Sequence, residues 1–121
     1  MRYWAPSQFQ GRFSAQDSEW QGGTIPAGWP VFLLTGAANR DEREFPDPDV
    51  FDIDRKQSVS ISLGHGVHAC LGAYLARLES RVSFQEIRAR WPEYEVDEDG
   101  LRRVQMSNVA GYSNVPVTVG R

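Results

Sequence analysis

Cys70 is the sole cysteine of the chain, and both histidines, His65 and His68, stand just before it. The stretch from Ser60 to Gly72 reads Ser-Ile-Ser-Leu-Gly-His-Gly-Val-His-Ala-Cys-Leu-Gly, dense in glycine for so short a span. A lone cysteine is ordinarily a small packed hydrophobe, but the neighbours of this one argue for chemistry. Gly64, Gly66 and Gly72 permit positive φ and let the backbone come close to something flat or bulky. Directly afterwards, Leu71, Tyr74, Leu75, Leu78 and Val82 recur at three- and four-residue spacing, the apolar stripe of a helix. A helix that starts there turns its free N–H groups and the positive end of its dipole toward the sulfur. Such surroundings favour thiolate over thiol, the form that serves as nucleophile and metal ligand.

Three uses of that thiolate are chemically distinct. A catalytic nucleophile needs a positioned base, and His68 is a conceivable one. A zinc site takes about four ligands, which one cysteine and two histidines supply poorly. A haem needs a single protein ligand on its proximal side, and a thiolate there is the oxygen-activating choice. In that case the glycines give clearance for the porphyrin face. The loop taken by itself leaves these uses open.

The elements that must position the loop follow from pattern. The helix begun after Cys70 should end near Arg90 or Trp91, because Pro92 cannot continue it. Pro6 and Gly11 rule out a long helix in the first stretch, and Ser18-Glu19-Trp20 before Gln21-Gly22-Gly23 reads as a strand and tight turn. Pro26-Ala27-Gly28 is a second turn, and Trp29 to Thr35 a candidate buried strand, so a small antiparallel sheet is expected. From Asn39 to Arg55, Pro46 and Pro48 forbid helix or central strand, and Phe45 and Phe51 need packing partners to keep such a coil ordered. The tail turns at Asp99-Gly100 and then offers short strands from Arg102 to Val119, interrupted by Gly111 and Pro116.

Composition sets outer bounds. The 121 residues allow one domain with a modest core, and 40% hydrophobic with 24% charged residues argues against a disordered tail. A net charge of -3 gives no nucleic-acid signal. One cysteine cannot form an internal disulfide, which points to a reducing, cytoplasmic setting. No apolar run reaches membrane-spanning length.

With these elements in place, the segment Leu63-Gly64-His65-Gly66-Val67-His68-Ala69-Cys70-Leu71-Gly72 resembles the cysteine-ligand loop of the cytochrome P450 family, the haem-thiolate monooxygenases. The likeness continues through Ala73-Tyr74-Leu75-Ala76-Arg77-Leu78-Glu79, like the helix after the ligand cysteine. Upstream, Ala38-Asn39-Arg40-Asp41 and Phe45-Pro46-Asp47-Pro48-Asp49-Val50-Phe51-Asp52-Ile53-Asp54-Arg55 resemble the family's meander. The wording is most similar to soluble bacterial members. The resemblance implies an α+β chain, residues 1–121, forming one partial domain from the C-terminal, haem-binding part of a mainly α fold. Its parts would be a small β-sheet, the meander coil, the cysteine-ligand loop and the following helix.

The resemblance also implies roles. Cys70 matches the axial ligand of haem b, iron protoporphyrin IX, with Gly64, Gly66 and Gly72 around it. His68 matches the basic residue that meets a haem propionate, and Arg12 a second propionate partner; the plain alternatives are a loop histidine and a surface strand arginine. Arg55 matches the meander arginine of a buried ion network, and Arg2 the arginine of the Glu-x-x-Arg motif, whose glutamate would lie before Met1. Ser7, Gln8 and Phe9, with Asn108, Val109 and Ala110, match substrate-lining positions, and ordinary strand and turn positions are an equal reading. Leu63 stands where the family usually has phenylalanine; leucine still excludes water but removes an aromatic edge beside the sulfur.

The implied activity is insertion of one oxygen atom of dioxygen into a small lipophilic substrate. Electrons would come from a ferredoxin-like donor and its NAD(P)H-dependent reductase. Arg77, Arg81 and Arg88 share a helix flank that could face such an acidic carrier, although Glu79 and Glu86 on the helix favour a simply solvated face. Nothing in the chain resembles the family's distal oxygen-activating helix, so the 121 residues alone are expected to be inactive. A non-catalytic remnant that binds haem weakly, or an interaction module, is the alternative.

Overall fold

A computed structural model describes residues 1–56 and 60–120. They form two compact units, one of Met1–Ser62 with Ser107–Val109, the other of Leu63–Met106 with the chain from Ala110 onward. The chain is α+β, with four separate two-stranded antiparallel ribbons among the described residues rather than one small sheet.

In the first unit, β1 (Gln10–Phe13) pairs with β4 (Pro30–Leu33), placing Arg12 opposite Val31. Between them lies a hairpin of β2 (Ser18–Trp20) and β3 (Gly23–Ile25). Its two-residue turn has Gln21 at φ 48° and Gly22 at φ 81°, the doubly left-handed geometry that matches strand twist. The Pro26–Trp29 turn closes with a 3.2 Å bond from the Trp29 N–H to the Pro26 carbonyl, and Gly28 at φ 77° takes the position that requires positive φ. This inserted hairpin is why the expected single sheet divides in two.

The expectation of a buried strand over Trp29 to Thr35 is corrected on two counts. The strand ends at Leu33, and Thr35–Ala38 makes one helical turn, α1. Phe32 and Leu34 are 61% and 57% exposed, because a two-stranded ribbon presents two faces and the edge of Phe9 covers little of this one.

The meander coil after α1 finds the aromatic partners it needs. Phe45 is buried beneath the Arg2 guanidinium, 5.1 Å from the ring centre. Phe51 stays exposed but meets Tyr3 edge-on at 5.3 Å.

In the second unit, a 3₁₀ turn over Gly66–His68 precedes the long helix α2, Ala73–Arg90. The helix ends where Pro92 requires, its last bond running from the Trp91 N–H to the Ile87 carbonyl at 2.8 Å. The apolar stripe is present, yet no α2 residue is buried and Tyr74 is 85% exposed. Beyond the helix, β5 (Tyr94–Val96) pairs with β8 (Val117–Val119), and β6 (Arg102–Arg103) with β7 (Tyr112–Asn114). The turn into β6 closes at Gly100, whose N–H bonds to the Asp97 carbonyl and carboxylate. No helix among the described residues is long and apolar enough to cross a membrane.

Candidate haem-ligand loop and its supports

The loop from Leu63 to Gly72 is closed by its own backbone. The Cys70 N–H donates to the Leu63 carbonyl at 2.7 Å, pinning the two ends together. Within the closure, the His68 N–H reaches the His65 carbonyl at 3.3 Å and the Ala69 N–H the Gly66 carbonyl at 3.0 Å. Gly64 has φ 76°, and a Cβ there would sit 2.4 Å from the His68 carbonyl oxygen, so only glycine fits. Gly66, at φ 59°, has left-handed backbone but open space around it.

Gly72 corrects the expectation of positive φ. It caps α2 at φ -85°, ψ 9°, a conformation open to any residue. A Cβ there would lie in ordinary contact, 4.0 Å from the Cys70 sulfur, so a small side chain would fit.

The loop presents Cys70 exposed, with Val67 at 97% and Leu71 at 101% exposure beside it in sequence. The Ala73 N–H bonds back to the Cys70 carbonyl at 3.1 Å, so α2 begins directly on the cysteine. His65 and His68 are exposed, and among the described residues no hydrogen bond or ion pair links either imidazole to another group. No three His, Cys, Asp or Glu side chains converge among the described residues, so Cys70 is not part of a protein-only cluster of the kind zinc takes.

The remaining candidate residues divide between the two units. In the first unit Arg12 is half-buried on β1 and donates to the Gly11 carbonyl at 2.8 Å. The strand start and the late turn do meet there: the Gln8 N–H donates to the Asn108 carbonyl at 2.8 Å, and Ser7 bridges Val109. The Gln8 carboxamide turns inward to the Ala5 carbonyl, and Phe9 stacks edge-on against Phe32 at 5.5 Å. Ala110 belongs to the second unit, as do Arg77, Arg81 and Arg88, all exposed on α2.

Arg2 and Arg55 organise the meander through main-chain acceptors. Arg2 is 4% exposed and donates to the Asn39 carbonyl at 2.6 Å and the Pro48 carbonyl at 3.0 Å. Loss of hydration, then the nearby Arg55 and Arg40 charges, pull its pKa below the ordinary arginine value, with Asp49 opposing. Arg55 donates to the carbonyls of Pro46, Asp47 and Val50, while its buried Nε has no partner among the described residues. Neither arginine forms an ion pair with a described carboxylate.

Sequence reasoning missed Tyr3, Asn39, Arg40 and Ser62 as supports. Arg40 donates twice to the Tyr3 carbonyl, stacks over its ring at 4.2 Å and pairs with Asp49. Tyr3 and Arg40, with Trp4, Ala5, Gln8, Gly36 and Ala37, line a pocket of about 240 Å³. The signal was a run of polar residues directly after a short helix, which by itself names no partner.

Known proteins resemble the chain in sequence and in fold. The cytochrome P450 family pattern matches residues 1–90. A putative cytochrome P450 123 of Mycobacterium tuberculosis is 44% identical over 120 residues, covering 98% of this chain and 30% of that protein. Vitamin D(3) 25-hydroxylase of Pseudonocardia autotrophica is 46% identical over 123 residues, covering 99% and 30%. The structure of CYP109E1 from Bacillus megaterium in complex with testosterone superposes with a TM-score of 0.88 at 35% identity, covering 96% of this chain and 32% of that one. The chain therefore spans about three tenths of the length of these curated relatives. Matched by the family pattern over most of its length and alike in sequence and in fold to these proteins, the chain belongs to the cytochrome P450 family.

Proposed function

We propose that residues 1–121 supply the ligand-bearing side of a haem-thiolate monooxygenase, with Cys70 as the axial ligand of haem b. The observation that carries this reading is Cys70 itself, exposed and outside any cluster of three or more metal-binding side chains among the described residues, on a loop whose closure depends on Gly64. The residues fit the group: one exposed sulfur donor, a loop closed behind it by its own backbone, and apolar surface at Leu71 available for burial.

When bound, haem supplies dioxygen activation, which thiolate donation favours, and the transfer of one oxygen atom to an organic substrate. Cys70 gives the thiolate. His68 and Arg12, each with a cationic form and no carboxylate partner among the described residues, hold the propionates. With haem in place Leu63 would help to keep water from the sulfur, and the Cys70 N–H to Leu63 carbonyl bond fixes the loop that carries it. The paired strand and turn at Gln8, Phe9 and Val109, with Ala110, line the substrate side.

A lipophilic substrate is supported by the relatives, which include a 6-deoxyerythronolide B hydroxylase and an erythromycin C-12 hydroxylase of Saccharopolyspora erythraea. Electrons come from a ferredoxin-like donor served by an NAD(P)H-dependent reductase, in the cytoplasm. Arg77, Arg81 and Arg88 offer that donor a basic flank on α2.

The test is made on a haem-loaded full-length protein that contains these residues. Cys70→Ala should abolish the thiolate-ligated ferrous–carbonyl spectrum, and a spectrum retained in that variant would sink the assignment. A charge-assisted bond to a carboxylate contributes about 1.5–3 kcal/mol, so His68→Ala or Arg12→Ala should each speed haem dissociation by about tenfold or more. Dissociation unchanged in both would remove the propionate role.

A further inference from the structure

We propose that Asn39 is a positioning residue for the Cys70 loop, its buried carboxamide holding the segment 60–62 from which that loop departs. The inference rests on the reading of Cys70 as the haem ligand. Asn39 is 0% exposed, in a part of the chain where few side chains are buried at all.

A carboxamide offers two donor hydrogens and two acceptor lone pairs, and here all are used. Nδ2 donates to the Thr35 carbonyl at 2.9 Å and to the Ser62 hydroxyl at 3.0 Å. Oδ1 accepts from the Ile61 N–H at 3.2 Å and the Ser60 hydroxyl at 3.3 Å. The main chain of Asn39 is equally committed, its N–H to the Thr35 carbonyl at 3.1 Å and its carbonyl to Arg2 at 2.6 Å.

The partners decide what this arrangement can do. Ser60, Ile61 and Ser62 are consecutive, so sliding the segment by one residue would break every bond to it and strand a buried amide. The Ser62 hydroxyl passes the restraint on to the Met1 carbonyl at 3.1 Å. The next residue is Leu63, whose carbonyl receives the Cys70 N–H. A covalent step and a hydrogen bond thus join the Asn39 anchor to the cysteine backbone. Aspartate could keep the Ile61 acceptor but has no donor for Ser62, and leucine could keep neither.

The experiment compares Asn39→Ala, Asn39→Asp and Ser62→Ala in the haem-loaded full-length protein. Amide exchange at Ile61 and Cys70 is read in the ferrous–carbonyl state, together with the thiolate signature of that complex. Asn39→Ala should speed exchange at both amides by about tenfold and convert part of the carbonyl complex to the thiol-ligated form. Asn39→Asp should restore protection at Ile61 and part of the thiolate signature. Should Asn39→Ala fail to fold, Ser62→Ala removes one carboxamide partner and must show the same pattern in smaller degree. Faster exchange at Ile61, with Cys70 exchange and the thiolate signature unchanged, would overturn the proposal, since the anchor would then be local. Unchanged Ile61 exchange would overturn it as well. A wild-type protein with no thiolate signature would refute the haem-ligand reading, while exchange at Cys70 would still report whether the anchor reaches the loop.

Discussion

Arg43 grips the Asp41 carboxylate through Nε at 2.9 Å and Nη2 at 2.6 Å, and its own N–H adds a third bond at 2.9 Å. The Arg43 side-chain bond, first, and its backbone bond hold the Asp41 pKa down from 3.8 to about 2. A carboxylate with a lowered folded-state pKa adds stability that is present above its unfolded value and lost as pH falls through the folded one. The contribution of this pair should therefore be constant above pH 3.8 and fade towards pH 2. Arg43→Ala should move the Asp41 midpoint, read by carboxyl-carbon NMR, back up towards 3.8. A midpoint that stayed low would mean that another group holds the charge. With Arg43 84% exposed, the pair is screened by solvent and has little effect on the fold. Arg2 is the opposite case. Buried and in no ion pair with a described carboxylate, it is held by two carbonyls and an aromatic face, with the Asp49 charge in support.

At the scale of elements, the loop and helix around Cys70 were legible because their determinants are local. Glycine spacing, the stripe from Leu71 to Val82 and Pro92 all act over a turn or two, and α2 ends where they say. The anchor at Asn39 was not legible, because its partners lie 22 and 23 residues away and no local pattern names them. Strand β5 was missed for a related reason: Tyr94-Glu95-Val96 alternates over just three residues, too short a run to stand out, and its pairing with Val117–Val119 is set by the far end of the chain. Gly72 shows how composition misleads, since three glycines in one loop look alike but Gly64 and Gly66 take left-handed backbone and Gly72 does not. That distinction makes a prediction for the loop. Gly66→Ala meets no neighbour and should cost about 1–2 kcal/mol for a left-handed residue. Gly64→Ala adds a clash with the His68 backbone and should cost clearly more, exposing the Cys70 N–H to faster exchange. Equal exchange rates in the two variants would show that the loop relaxes around the methyl group.

For the whole molecule, the balance of buried and exposed surface is the dominant fact. Ala5 and Phe45 are the buried hydrophobics among the described residues, while Trp20, Trp29, Phe13, Leu71 and Tyr74 face outward. The apolar side chains are present in ordinary proportion, and their covering is what the chain lacks. A core this small leaves little margin over conformational entropy. Residues 1–121 alone should therefore unfold without a sharp transition, bind a hydrophobic dye and retain haem weakly. Supplied with haem, a reductase, a ferredoxin and lipophilic substrates, they should release peroxide and form no coupled hydroxylated product. Stoichiometric product would show that the chain needs no further cover.

The meander's dependence on Arg2, Arg40 and Arg55 has a consequence for how this segment can change over generations. The acceptors of those guanidiniums include the carbonyls of Tyr3, Asn39, Pro46, Asp47, Pro48 and Val50, groups that every amino acid carries. Replacing a side chain at one of these positions leaves the oxygen in place, whereas inserting or deleting one residue displaces several oxygens together. Drift in this coil should accordingly be free in spelling and strict in length.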